Sequence, residues 1–191
     1  MTLDAPDPPL SDDRVSLHPW REGDASALVA ELNEPDIAAF LDRIPQPYTL
    51  EDARWYIDWT TQGWREGSAS TFAVRLVGAD EPIGSIGVRW SDQEEGVAEV
   101  GYWVAARARG HGVATAALRL IAGWAFGTVP SLARLQLRAD VRNAASNRVA
   151  EKAGFTREGV LRSQRYNERL GKRVDFVMWS LLREEVPGRR S

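Results

Sequence analysis

The stretch VAEVGYWVAARARGHGVATAAL, residues 97–118, changes its apolar period in the middle. From Val97 to Val104 the pattern alternates. Ala98, Val100, Tyr102 and Val104 share one face, and Glu99, Gly101 and Trp103 share the other, as on a half-buried strand. Further on, Val113, Ala117, Leu120 and Trp124 recur at helical spacing, which predicts a helix to about Phe126. Between the two lie Arg107, Arg109, Gly110, His111 and Gly112. A strand that turns through glycines into a helix presents unpaired first-turn N–H groups and the positive end of the helix dipole. Such a junction suits a phosphate, and flanking arginines add charge-assisted hydrogen bonds. An isolated Gly-x-Gly, however, reads more readily as a plain turn with solvated arginines.

Two phosphate-binding patterns fit this junction poorly. A P-loop needs Gly-Lys-Ser/Thr, but Val113-Ala114 follow Gly112. A dinucleotide fingerprint needs a third glycine, where Thr115 stands, and an early strand, whereas this one is late.

Outward from the junction, the chain alternates short strands and helices. Upstream, a strand is expected at 15–20 and a helix at 27–32 behind Asp24 as N-cap. A short helix follows at 35–41. Thr49 with Asp52 then opens another helix, running to about Gly63 with Trp55, Ile57 and Trp59 on its apolar surface. Residues 71–77 and 82–90 form a hairpin around residues 78–81, and 91–96 is a polar turn. Downstream, Leu135, Leu137, Ala139 and Val141 alternate with Arg134, Gln136, Arg138 and Asp140, and residues 145–153 are helical up to Gly154. Strands at 160–166 and 174–181 meet around Gly171. The order predicts an α+β (mixed α/β) fold, a largely antiparallel central sheet flanked by helices. The 191 residues suit one domain at 14–183, between a disordered acidic, Pro-rich tail at 1–13 and a C-terminal tail at 184–191.

Composition narrows the chemistry. The absence of cysteine excludes disulfides, thiolate catalysis and Cys-based zinc sites, and His18 and His111 are too few and too distant for a metal cluster or a histidine triad. No metal is therefore expected. No apolar run approaches the ~18 residues of a membrane span, and the first dozen residues lack a signal peptide's apolar core. A soluble, cytoplasmic protein without membrane contact is the expectation. Residues 1–104 carry seven Arg/Lys against twenty Asp/Glu, and residues 105–191 seventeen against seven. That asymmetry is either an accident of surface charge or the mark of an anionic ligand in the second half and a cationic one near the first. Nucleic acid is not expected, because the arginines are interleaved with the phosphate-site unit and aromatics at nucleic-acid module spacing are absent.

Taken with its surroundings, the junction resembles the GCN5-related N-acetyltransferases (GNAT), whose signature is Gln/Arg-x-x-Gly-x-Gly/Ala between an apolar strand and a helix. Here it is Arg107-Ala-Arg-Gly110-His-Gly112. The downstream run Asn143-Ala-Ala-Ser146-Asn147-Arg148-Val-Ala-Glu-Lys152-Ala-Gly154-Phe155, then Glu158-Gly159, is similar to the branch that acetylates N-termini of ribosomal proteins. The resemblance is specific over residues 99–159 and architectural before that.

This resemblance implies acetyl-CoA as co-substrate and direct acyl transfer to a primary amine, either a protein N-terminus or a small molecule. It also implies a homodimer. Backbone N–H groups of Arg109, Gly110, His111, Gly112, Val113 and Ala114, assisted by Arg107, would hold the coenzyme A pyrophosphate. Trp103 and Val104 would pair with the pantetheine arm like an added strand edge, Asn143 would hydrogen-bond it, and Arg148 and Lys152 would approach the phosphates or be solvated helix charges.

Direct attack requires a neutral, well-placed amine, an oxyanion donor and an acid for the departing thiolate. The oxyanion donor is expected at the backbone N–H near Val104. Many family members use the tyrosine of Tyr-x-Lys-x-Gly-Phe as the acid, a position held here by Ala150. Ser146 is the alternative acid, or else the N-cap of its helix. Glu99 is a general base or a paired sheet carboxylate, Tyr102 is expected to fill core, and Glu158 to be structural. Asp175 is either an acceptor contact or an arginine partner. Trp55, Trp59 and Trp64 either wall an acceptor pocket or pack. The missing tyrosine also admits a different class, a non-catalytic acyl-CoA-binding module.

Overall fold

The computed structural model describes residues 5–38, 40–41 and 44–186. Eight strands form one sheet: β1 (Leu10–Ser11), β2 (Val15–Pro19), β3 (Ala69–Leu76), β4 (Pro82–Asp92), β5 (Val97–Val104), β6 (Arg134–Asp140), β7 (Thr156–Asn167) and β8 (Lys172–Leu182). Their spatial order is β1-β2-β3-β4-β5-β6-β8-β7. Neighbours are antiparallel except β5 and β6, whose parallel register is Val97↔Arg134, Ala98↔Leu135 and Glu99↔Gln136. Beyond Glu99 the two strands part, and the fork between them is the feature on which the site is built. The mixed, largely antiparallel sheet matches the expected α+β class.

Helices α1 (Ala25–Leu32), α2 (Pro35–Ala38), α3 (Leu50–Glu66), α4 (Val113–Thr128) and α5 (Ala144–Lys152) flank the sheet. The α4 helix buries Val113, Ala117, Leu118, Ile121, Ala122, Ala125 and Phe126 against Val15, Phe72, Ile86, Val100, Leu135 and Leu137. The buried stripe is wider than the spacing alone indicates, and the expected core residues Leu120 and Trp124 lie at its margin, partly buried. On the opposite face, Trp20, Leu28, Leu32, Tyr48, Ala53 and Ile57 pack beneath α1 and α3.

The α3 start is set locally. Asp52 N–H donates to Thr49 Oγ1 at 3.2 Å, and Thr49 N–H donates to Asp52 Oδ2 at 2.8 Å. The helix passes Gly63, the expected end, and stops at Gly67, whose φ of +66° needs the freedom of glycine. Gly63 instead lets α3 approach β3, since a Cβ there would lie 3.2 Å from the Ala69 carbonyl.

Asp24 departs from expectation. A 3-10 turn over Glu22–Asp24 already gives it helical torsions, so its side chain does not cap α1. It accepts two hydrogen bonds from the Arg75 guanidinium, at 2.9 and 2.7 Å, with both side chains buried. Leu10–Ser11 pairs with Ser16 and Leu17, so sheet structure begins inside the stretch expected as a tail, while residues 1–4 and 187–191 of the two tails lie outside the described residues.

Candidate active site

Where β5 and β6 part, the chain turns through a 3-10 segment, Ala106–Ala108, into α4. Gly110 and Gly112 take φ of +81° and +79°, values at which a side chain would be strained. Gly112 is the N-cap of α4, and no side chain caps its first turn. The turn N–H groups thus lie at the head of a cavity of about 360 Å³, bordered by Trp103, Val104, Arg109, Gly110, Gly112, Val113 and Ala114 on one side. Asn143, Ser146, Arg148 and Lys152 of the α5 region border the other, and Ile37, Phe40 and Leu41 also line it. A glycine-lined turn at an uncapped helix end, opening on a strand edge, fits a ligand that carries phosphates on an extended amide-containing arm.

Two expected members of this cradle point elsewhere. Arg107 is held by Glu31 at 2.8 Å and Glu81 at 3.0 Å, away from the cavity. His111 does not border it, and its carbonyl accepts a hydrogen bond from the Arg14 guanidinium. That guanidinium lies 3.2 Å from where a Gly112 Cβ would be. Arg109 remains at the cavity and donates from Nε to the Val104 carbonyl at 3.1 Å.

At α5 the capping role falls to Asn143, whose Oδ1 accepts from Ser146 N–H at 2.9 Å. Ser146 is therefore not the cap, and its hydroxyl is directed to Tyr102, with 2.9 Å between the two oxygens. Burial pushes the Tyr102 phenol up to about 12, and its bond to Ser146 opposes part of that rise. The phenol stays protonated at neutral pH and able to donate. Tyr102 packs against the core, as the sequence leads one to expect, and its hydroxyl in addition finds Ser146. The signal for that partner is a tyrosine on an otherwise aliphatic strand face, a residue that when buried requires a partner for its hydroxyl. Ala150, which stands where the resemblance leads one to expect tyrosine, is fully buried.

Glu99 projects from the other face of β5, where its carboxylate meets Arg138 at 2.5 Å and Arg89 at 3.4 Å. It borders a second cavity, of about 340 Å³, between α3 and the sheet. Tyr56 and Trp59 of α3, Leu32, Tyr48, Gly87, Gly101 and Arg89 line it. Tyr102, Trp103 and Leu41 border both cavities, so the two meet at the end of β5.

The remaining candidates resolve into structural roles. Trp64 packs on Phe72 and Trp124. Trp55 is 66% exposed and stacks on Trp59 at the rim of the second cavity. The Asp175 Oδ1 accepts the Ser163 N–H at 2.7 Å where β7 bulges from β8. Glu158 accepts from both Arg134 terminal nitrogens and from Ser180, and the Arg134 bond holds its carboxyl down at about 2. Among the described residues there is no metal-binding cluster, and no helix is long and apolar enough to cross a membrane.

Comparison with known proteins gives this geometry a family context. The family model described as "Acetyltransferase (GNAT) domain" matches residues 14–156. "Uncharacterized N-acetyltransferase p20" of Bacillus licheniformis is 29% identical over 94% of this chain and 98% of its own length. "Putative ribosomal N-acetyltransferase YdaF" of Bacillus subtilis is 37% identical over 56% of this chain and 57% of its own. The structure of Mycobacterium smegmatis RimJ in complex with CoA-disulfide aligns with a TM-score of 0.78 at 25% identity, covering 91% of this chain and 84% of that one.

Proposed function

Because the chain belongs to the GNAT acetyltransferase family and is an N-acetyltransferase, we propose that it transfers an acetyl group from acetyl-CoA in the β5–β6 cavity to a primary amine entering the second cavity, either a protein N-terminus or a small molecule. The observation that carries this reading is the junction of the two cavities beside the paired hydroxyls of Ser146 and Tyr102. An amine from one side and a thioester from the other would meet there without a covalent enzyme intermediate.

Each residue then has a task. The N–H groups of Gly110, Gly112, Val113 and Ala114 hold the pyrophosphate, with the α4 dipole adding to the attraction, while the Arg109 N–H is already given to the Ala106 carbonyl and His111 stands outside the cavity. The Trp103–Val104 backbone holds the pantetheine arm, and the Val104 N–H serves the developing oxyanion. The Asn143 amide donates to the arm from Nδ2, because Oδ1 is committed to its helix. Arg148 and Lys152, which border the same cavity, serve the nucleotide phosphates in this reading. The Ser146 hydroxyl gives its proton to the thiolate as the carbon–sulfur bond breaks and regains one from the Tyr102 hydroxyl, which recovers its own from the amine through water. In this reading the pair takes the place of the tyrosine absent at position 150, which supports a catalytic site over a non-catalytic module.

Glu99 either takes the amine proton through water or holds the guanidinium groups beside the amine. Its two ion pairs favour the second role, since protonation would break both. YdaF's description supports a protein amine as one acceptor class, and the apolar second cavity supports a small amine. Thioester release from acetyl-CoA, followed with a panel of peptides and small amines, tests the reading. Tight CoA binding with no turnover of any amine would replace it with the non-catalytic module.

A further inference from the structure

The second cavity has the shape of a slot. Its floor is the β3–β4–β5 face, where Gly87 and Gly101 are cross-strand partners and leave bare backbone between them. A Cβ at Gly101 would meet nothing within 4 Å, whereas one at Gly87 would lie 2.8 Å from Thr71 Oγ1, so the floor is open at Gly101 and edged by Thr71 at Gly87. Aromatic side chains border it. Tyr56 and Trp59 stand at 6.0 Å and 27°, and Trp103 lies on Trp20 at 6.5 Å and 26°. At the rim Trp55 lies on Trp59 at 6.4 Å and 14°, four residues apart on α3, with 66% and 46% of their surfaces exposed. Two stacked indoles left in water beside a cavity are a large apolar area without a partner.

Charge and backbone pairing narrow the occupant. Glu99 is the one carboxylate among the described lining residues, and Arg138 and Arg89 already balance it. A polycationic amine would find no free anion there. A peptide held by main-chain pairing needs an open strand edge, but Gly87 is paired to Thr71 on one side and Gly101 on the other. The volume of about 340 Å³ matches a small ligand.

We infer that the slot accepts a small primary amine carried on a planar aromatic ring, the ring lying between the Gly87–Gly101 floor and the Tyr56 and Trp59 faces, and the amine reaching the junction at Trp103. This rests on the acetyl-transfer reading above and names the acceptor class of that same site.

The test compares 2-phenylethylamine and tryptamine with 2-cyclohexylethylamine, spermidine and a peptide beginning with serine. Thioester release gives kcat/KM, and calorimetry measures each amine's binding to the CoA-loaded protein. The aromatic amines should exceed the cyclohexyl analogue by about tenfold, the scale of a stacking contact. Trp59→Leu keeps apolar bulk but removes the ring, and should bring that ratio close to one. Gly101→Leu should raise the KM for aromatic amines about tenfold or more by filling the floor, leaving the KM for acetyl-CoA unchanged. Equal rates for phenyl and cyclohexyl amines, or a higher kcat/KM for spermidine or the peptide, would overturn the inference. If no amine is turned over, binding decides. Ring-selective binding upholds the slot and retires the transfer reading, whereas binding without ring preference retires the slot whatever the fate of acetyl-CoA.

Discussion

The Tyr102 and Ser146 hydroxyls lie 2.9 Å apart, joining the end of β5 to the first turn of α5 at the point where the two cavities meet. A hydrogen-bonded hydroxyl pair passes a proton without either member carrying charge for long. Ser146→Ala should lower kcat by about 10²-fold, the lower range for one acid-base group, with little change in the KM for acetyl-CoA. Tyr102→Phe should lower kcat less, since Ser146 can still draw on water. Equal loss in kcat and acetyl-CoA affinity would mean the pair only shapes the cavity.

The same phenol predicts an effect on stability. Its folded value of about 12 lies above the ordinary 10, so the protonated form is favoured by folding. The resulting stability is present in full below pH 10 and is lost as pH rises toward 12. Tyr102→Phe should remove that part of the alkaline decline, read from urea unfolding at pH 9 and pH 11.

Glu99 bridges Arg138 and Arg89 at the second cavity. If it holds those guanidinium groups rather than taking a proton, Glu99→Gln should keep the shape of the pH–rate profile while raising the amine KM severalfold. Loss of one limb of the profile would instead identify it as the base.

Gly112 adopts a φ of +79° at the α4 N-terminus, and a Cβ there would crowd Arg14. Gly112→Ala should cost about 1–2 kcal/mol of stability through the left-handed torsion alone. Gly112→Trp should in addition abolish CoA binding by covering the turn N–H groups. Unchanged CoA affinity in a folded Gly112→Trp protein, measured by calorimetry, would remove the phosphate cradle from this loop.

Asp24 and Arg75 form a buried ion pair with little solvent to compensate either charge. Asp24→Ala should destabilise by about 3–5 kcal/mol, because it strands the guanidinium. The double variant Asp24→Leu with Arg75→Met should lie much nearer the parent. Denaturant titration of the three proteins measures the difference.

By itself the sequence determined what is local. Alternation defines β5 and β6, the Thr49–Asp52 box starts α3, and Gly110 and Gly112 mark a turn that only glycine adopts comfortably. These depend on torsions and on contacts a few residues apart, so the strand–turn–helix unit was legible in the chain. Tertiary structure decided the rest. It parted β5 from β6 after three residue pairs, turned Arg107 to Glu31, and moved Asp24 from a helix cap to a buried ion pair. It also gave the hydroxyl of Tyr102, whose ring packs against the core, a partner in Ser146, 44 positions away. Each of these hangs on which side chains the sheet order brings together. No local period encodes that order, because burial and ion pairing are settled between segments distant in the chain.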